Sequence, residues 1–358
     1  MTEPRFWLHQ LRRDPISTVG ACLSISITLG LILGLDWGEG FALWSIVSFT
    51  LFNAAFLFIL IKRNQLSFWF HQLRRNPLSL VGVTIILIFL FTATFAPIIA
   101  PSPEGHIDPY KIPREGYSPV PQQPSDEHIF GTTEGQYDVF YGVIWGTRTA
   151  FLVGIIVIGS VLLIGIVLGS IAGYFGGFID EVIMRITDIF FAFPPLILAM
   201  AIVIALEERS INTVMLALII VSWPVYARLI RGDILAAREE DYIEAARGIG
   251  ASNFRIIVRH VLPNSIYPAL VMASLDIGAV VLAAAALSFL GLGAPEGYAD
   301  WGQLISFARN WIVGAPGNPL AYWYTVTIPG LFILFFVLGW NLLGDAFRDI
   351  LDPRLAKR

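Results

Sequence analysis

The chain has 358 residues, 56% of them hydrophobic and only 14% charged, with a mean hydropathy of +0.71 and a net charge of −4. Soluble domains carry about 25% charged residues, so this composition excludes a soluble globular protein and places the chain in a membrane. The one cysteine, Cys22, excludes an intrachain disulfide, and nothing in the charge balance points to a nucleic-acid partner.

The chain opens on "FWLHQLRRDPISTVG" at 6–20, which returns as "FWFHQLRRNPLSLVG" at 68–82 with eleven of fifteen residues identical. In each copy an aromatic pair and a leucine precede an arginine pair, which suits a short helix lying at the lipid headgroups. Asp14-Pro15 and Asn76-Pro77 follow, a favoured N-cap and a favoured first helical residue, so both copies mark the cytoplasmic start of a spanning helix.

Eight apolar runs are long enough to cross the hydrocarbon, which takes about 20 residues: 16–35, 41–61, 78–100, 149–173, 190–206, 211–230, 266–290 and 323–343. The first is too long for the apolar part of a cleaved signal and lacks a small-residue cleavage site, so it reads as a retained helix. The fifth is short and contains Pro194 and Pro195, which predicts a kink packed against neighbouring helices. With the N-terminus in the cytoplasm, 18 of the 23 Lys and Arg residues fall on the cytoplasmic side, leaving Lys111, Arg114, Arg148, Arg209 and Arg309 outside. This asymmetry predicts an N-in, C-in topology.

The stretch 101–148 is rich in Pro, Gly and acidic residues and reads as an external loop without domain periodicity. Its histidines, His106 and His128, lie 22 residues apart with no ligand pattern around them, so no metal site is expected.

The largest cytoplasmic loop, "REEDYIEAARGIGASNFRIIVRHVLPN" at 238–264, carries the most information. Helix formers fill 238–246, Gly248 and Gly250 break the run, and Ser252 is placed to cap a second helix. In that second helix Phe254, Ile257, Val258, Val261 and Leu262 recur at three- and four-residue steps, with Arg255 and Arg259 together on another face. Pro263 is expected to end it. The result is a compact knob, either an ordinary amphipathic loop on the membrane or a piece shaped for a groove on a cytoplasmic partner.

Here the sequence resembles the permease subunits of binding-protein-dependent ABC importers. Glu244-Ala245-Ala246, Gly250 and Leu262-Pro263 reproduce that family's cytoplasmic signature, and "RHVLPN" at 259–264 is similar to its oligopeptide and dipeptide branch. "FGT" (130–132), "GTR" (146–148), "GYFGGFIDEVIMRITDIFFAFP" (173–194), "ALSFLGLG" (286–293), "WG" (301–302) and "GDAFRDILDPR" (344–354) resemble further landmarks of that branch, from about residue 68 to the end. Three departures stand out. The family's external "GRDV" reads Gln136-Tyr137-Asp138-Val139, a common glutamate is Ala284, and residues 1–64 have no counterpart.

The resemblance implies an all-α polytopic fold with a six-helix permease core, to which the span count adds an N-terminal pair of extra helices, about eight spans in all. The organisation expected is 1–64 as the added pair, 65–148 as the first permease helix and external loop, and 149–358 as the core holding the coupling loop. The implied function is import of di- or oligopeptides across a bacterial or archaeal cytoplasmic membrane, with nickel, glutathione, opines or oligosaccharides as alternative cargo. It also implies partners: a second permease subunit, two ATPase subunits, an external solute-binding protein and membrane lipids. None of Lys62, Lys111 and Lys357 follows a glycine, so the chain has no phosphate-binding loop and is expected to hold no cofactor; ATP and Mg belong to the ATPases. In such machines Glu244, Arg247, Arg255 and Arg259 would make polar contacts with the ATPase, beside Leu262 and Pro263, while Ala245, Ala246 and Gly250 would let the two chains approach closely. Asp276, a carboxylate inside a span, either lines the translocation path or bonds to a neighbouring helix.

A secondary transporter would show related halves with paired broken helices, and a membrane enzyme would show HExxH, GxSxG or clustered histidines; the chain has neither.

Overall fold

The structure, a computed structural model, describes residues 77–103, 105–114, 116–315 and 318–351. The first copy of the repeat, most of the second, the added pair at 16–61 and the domain 1–64 lie outside the described residues. The described part is all-helical: α1 (Pro77–Ile99), α2 (Val139–Phe175), α3 (Gly177–Phe191), α4 (Pro195–Ala205), α5 (Ile211–Ala237), α6 (Asp241–Gly248), α7 (Asn253–Ile256), α8 (Leu262–Ser265), α9 (Tyr267–Phe289), α10 (Trp301–Phe307) and α11 (Tyr324–Leu351). Five of these, α1, α2, α5, α9 and α11, are long and apolar enough to cross a membrane.

Among the described residues a sixth crossing is possible only as a broken one. The expected span at 190–206 is resolved into α4, whose 11 residues cover about 17 Å and so about half the hydrocarbon. It meets α3 at 89°. Pro194 and Pro195 make the corner: the first is held extended at ψ 127°, and the second opens α4 where a missing N–H costs nothing.

The fourth expected span also starts ten residues early. Asp138 caps α2, its Oδ1 accepting the Tyr141 N–H at 2.7 Å, so Val139 to Arg148 are helix rather than external loop. Ahead of it, the 101–138 stretch is pinned down: Ile112 N–H donates to the Gly297 carbonyl at 2.7 Å and Ala299 N–H to the Tyr110 carbonyl at 2.6 Å. His128 Nδ1 lies 2.7 Å from Asp138 Oδ2, so this histidine braces the cap of α2.

Arg148, expected on the external face, is buried at 2% exposure inside the bundle. Its Nε donates to the Ala93 carbonyl of α1 at 2.6 Å and its guanidinium lies 4.7 Å from the Trp145 ring centroid. Ala93 is four residues before Pro97, which has no N–H to give back, so the arginine supplies the donor that the proline withholds.

Helices α2 and α5 pack closest. Gly165, Gly169 and Gly173 recur every four residues on one face of α2; a Cβ added at Gly169 would stand 2.6 Å from the Ala227 carbonyl, and one at Gly173 2.9 Å from the Arg231 carbonyl. This small-residue stripe lets two backbones touch, the usual device where lipid gives no hydrophobic drive. Beside it Val153, Val157 and Val161 of α2 meet Val203 of α4, Val214 and Leu218 of α5, and Val280 and Leu287 of α9 in one buried core. A second nucleus is aromatic: Phe89, Phe151, Trp301 and Phe336 meet edge to face.

Candidate functional site

The loop 238–264 folds as a knob at the end of the bundle where α2 and α5 finish and α9 begins. Helix α6 ends in a left-handed glycine cap: Gly250 has φ +80°, its N–H donates to the Arg247 carbonyl at 2.9 Å, and Ala251 N–H reaches back to the Ala246 carbonyl at 3.1 Å. A Cβ at Gly250 would meet nothing within 4 Å, so within this chain the glycine is required by its backbone angle alone. Ser252 caps α7, accepting the Arg255 N–H at 3.4 Å.

Beyond α7 the chain departs from expectation. Pro263 does not end the helix. Residues Ile257–Val261 form a π turn, in which Leu262 N–H donates to the Ile257 carbonyl, and α8 follows directly with Pro263 in its first turn. Widening the turn by one residue puts the proline where no amide hydrogen is needed, so the helix carries on through Pro263 to Ser265, and a bend at Ile266 separates it from α9.

The apolar stripe divides too. Ile256 and Val261 are buried, with Ile243 and Ala246 of α6, against Tyr174 of α2, Ile230 and Ile234 of α5, and Ala269 of α9. Phe254 and Val258 point the other way, 76% and 47% exposed, and Ile249 joins them at 87%. The registers that looked like one face split because the π turn rotates everything after Ile256 relative to α7.

The structure therefore sorts the signature residues. Glu244, Ala245, Arg247, Gly250, Arg255, Arg259 and Pro263 are exposed, Leu262 is half-buried, and Ala246 faces inward as part of the knob's own core. Arg247 also lies 5.5 Å from the Tyr174 ring centroid, and Tyr174 donates through its hydroxyl to Asn253 Oδ1 at 3.1 Å, tying both arms of the knob to α2. Arg238 donates to the Gly173 carbonyl at 3.0 Å.

Sequence reasoning missed the brace next to the knob. Asp180 of α3 receives both Arg231 Nε and Nη2 of α5, the latter at 2.6 Å, and Asp188 receives Arg228 at 2.5 Å. The forked Asp180–Arg231 pair fixes orientation as well as distance. Their trace in the sequence is an aspartate pair spaced for one helix face and an arginine pair spaced for another, legible only once the two helices are known to be neighbours.

Asp276 lies in α9, where Tyr226 of α5 donates to its Oδ2 at 2.8 Å; the carboxylate is half-buried. At the opposite end of the bundle, Gln136 has φ +66° at the position where the resembling family has glycine. Tyr137, in the place of that family's arginine, donates to Glu296 Oε1 at 3.0 Å and accepts from Arg114 at 3.1 Å. Ala284 is packed in the core between helices.

Comparison with known proteins agrees with this architecture. Residues 165–357 match the family described as "Binding-protein-dependent transport system inner membrane component", and residues 67–119 match the "N-terminal TM domain of oligopeptide transport permease C". The dipeptide transport system permease protein DppC of Alkalihalophilus pseudofirmus is 42% identical over 286 residues, covering 80% of this chain and 89% of that protein. The probable D,D-dipeptide transport system permease protein DdpC of Escherichia coli is 39% identical, covering 79% and 90%. The glutathione transport system permease protein GsiD of Pectobacterium atrosepticum is 37% identical, covering 80% and 90%. The chain thus belongs to the inner membrane components of binding-protein-dependent transport systems, as a permease of the oligopeptide permease C type.

Proposed function

We propose that this chain is the membrane-spanning permease subunit of an ABC importer that moves peptides across the cytoplasmic membrane, powered by ATP hydrolysed on separate subunits. Relatives named for dipeptide, D,D-dipeptide and glutathione transport support small peptides as the cargo class. The observation that carries the reading is the two-sided knob. Its inner face is locked to α2, α5 and α9, while Ile249, Phe254 and Val258 stand exposed on its outer face, with Arg255 and Arg259 alongside.

That arrangement can transmit force. An ATPase gripping the outer face moves the inner face with it, and α2, α5 and α9 follow because one buried core joins them to the knob, while the Asp180–Arg231 and Asp188–Arg228 pairs carry α3 along with α5. In this reading Phe254 and Ile249 fill the apolar floor of the ATPase cleft and Glu244, Arg247, Arg255 and Arg259 pair at its rim, with Ala245 and Gly250 allowing close approach. A second permease subunit completes the pathway, and an external solute-binding protein delivers cargo.

The test is Gly250→Asp in the complex reconstituted with its ATPases and binding protein. The backbone angle disfavours a side chain there by about 1 kcal/mol, and the added charge enters the contact face. The expected outcome is an inserted permease whose transport is lost and whose ATPase is released or uncoupled. Transport at the wild-type rate would overturn the coupling assignment, and a cognate binding protein whose ligand, identified by mass spectrometry, is not a peptide would overturn the cargo.

A further inference from the structure

We propose that Asp276 binds the ammonium group of a passing peptide, an inference that rests on the peptide-importer reading above and on α9 lining the pathway. Asp276 is the tenth residue of the 23-residue α9, about 14 Å from its start and so near mid-membrane. It keeps part of its surface. A carboxylate turned to lipid at this depth costs a few kcal/mol, so the face it presents is a cavity or a partner rather than hydrocarbon.

The carboxylate is held ready. Tyr226 donates to Oδ2 at 2.8 Å, and Tyr226 is itself buried and pressed against Gly165 of the close-packed α2–α5 seam. One oxygen is thereby fixed and the other left for a further donor. Among the described residues no lysine, arginine or histidine forms an ion pair with Asp276. One turn along α9, Ala279 is small and exposed, so space opens beside the carboxylate. A single carboxylate offers too few ligands for a hard metal ion, which takes six or more oxygens. It suits a primary ammonium, a compact cation with three donors. The free amino terminus of a peptide, with a pKa of about 8, carries that charge at neutral pH.

The test uses the full complex in proteoliposomes with trapped ATP and unmodified binding protein at saturation. Transport of a peptide is compared with transport of its des-amino analogue, for the wild type, Asp276→Asn and Asp276→Glu. Because the binding protein is the same throughout, its own preference cancels in each variant-to-wild-type ratio. Losing one charge-assisted partner predicts a fall of about tenfold for the free-amine peptide in Asp276→Asn, no comparable fall for the des-amino analogue, and retained discrimination in Asp276→Glu. Equal falls for both peptides, or no fall for either, would overturn the assignment. The pathway reading is checked apart from it: with Cys22→Ser as background, Ala279→Cys should react with a water-soluble thiol reagent and be shielded by transported peptide. No reaction refutes the placing of α9 in the pathway; reaction together with unchanged discrimination refutes the ammonium site alone; a wild-type complex that moves neither peptide refutes the peptide-importer reading itself.

Discussion

Replacing Arg148 by methionine should cost the fold about 1.5–3 kcal/mol, and removing Pro97 as well should return part of it. The arginine is 2% exposed, and its Nε lies 2.6 Å from the Ala93 carbonyl that Pro97 leaves without a helical donor. Stranding that carbonyl in hydrocarbon costs about 1–3 kcal/mol, and losing the guanidinium from the Trp145 ring, 4.7 Å away, costs roughly 0.5–2 more. Removing a buried charge offsets some of this, which holds the total near the lower half of the sum. The Pro97→Ala change restores an N–H four residues after Ala93, so it should stabilise Arg148→Met by about 1–2 kcal/mol while doing little for the wild type. Thermal midpoints of the purified permease complex in nanodiscs, read for both singles and the double, give the coupling energy. Strict additivity of the two substitutions would refute the idea that arginine and proline answer each other.

Three further outcomes follow from the packing. Gly169→Val puts side-chain atoms where even a Cβ would stand 2.6 Å from the Ala227 carbonyl, so α2 and α5 must separate; the loss of assembled permease, measured by size-exclusion chromatography, should exceed that of Gly159→Val, where the space is open. Phe254→Asp leaves the knob's buried half intact and so should preserve the permease's thermal midpoint while weakening co-purification of the ATPase; a large fall in the midpoint would show that Phe254 is structural. Asp300, buried at the N-cap of α10 where its Oδ2 accepts the Gln303 N–H at 3.0 Å, has its pKa pushed up from 3.8 to about 6 by burial, against the opposing hydrogen bonds. Because the folded value exceeds the unfolded one, this group's contribution falls as pH rises from about 4 to 6 and is flat above, a swing of about 3 kcal/mol. Asp300→Asn keeps a capping oxygen and removes the charge, so its stability relative to wild type should rise across that interval, and a pH-independent difference would contradict the assignment.

The amino-acid sequence determined the all-helical membrane class, most of the spanning segments from residue 78 onward, and the glycine-capped pair of short helices at 238–264. These are local properties: apolar runs, a cap at Ser252 and a glycine at φ +80° each act within a few residues of themselves. The early start of α2 was hidden because Arg148 looked like the edge of a loop, and a charge is admissible inside a span only when another helix offers it a partner. The parting of Phe254 from Val261 rests on a π turn that no periodicity count anticipates, and the inward turn of Ala246 on the packing of its helix against α2 and α5. Only the tertiary structure could pair Asp180 with Arg231, Asp276 with Tyr226 and Arg148 with Ala93, residues 51, 50 and 55 positions apart. Burial in a membrane makes each polar group depend on one distant partner, and which partner is decided by helix packing.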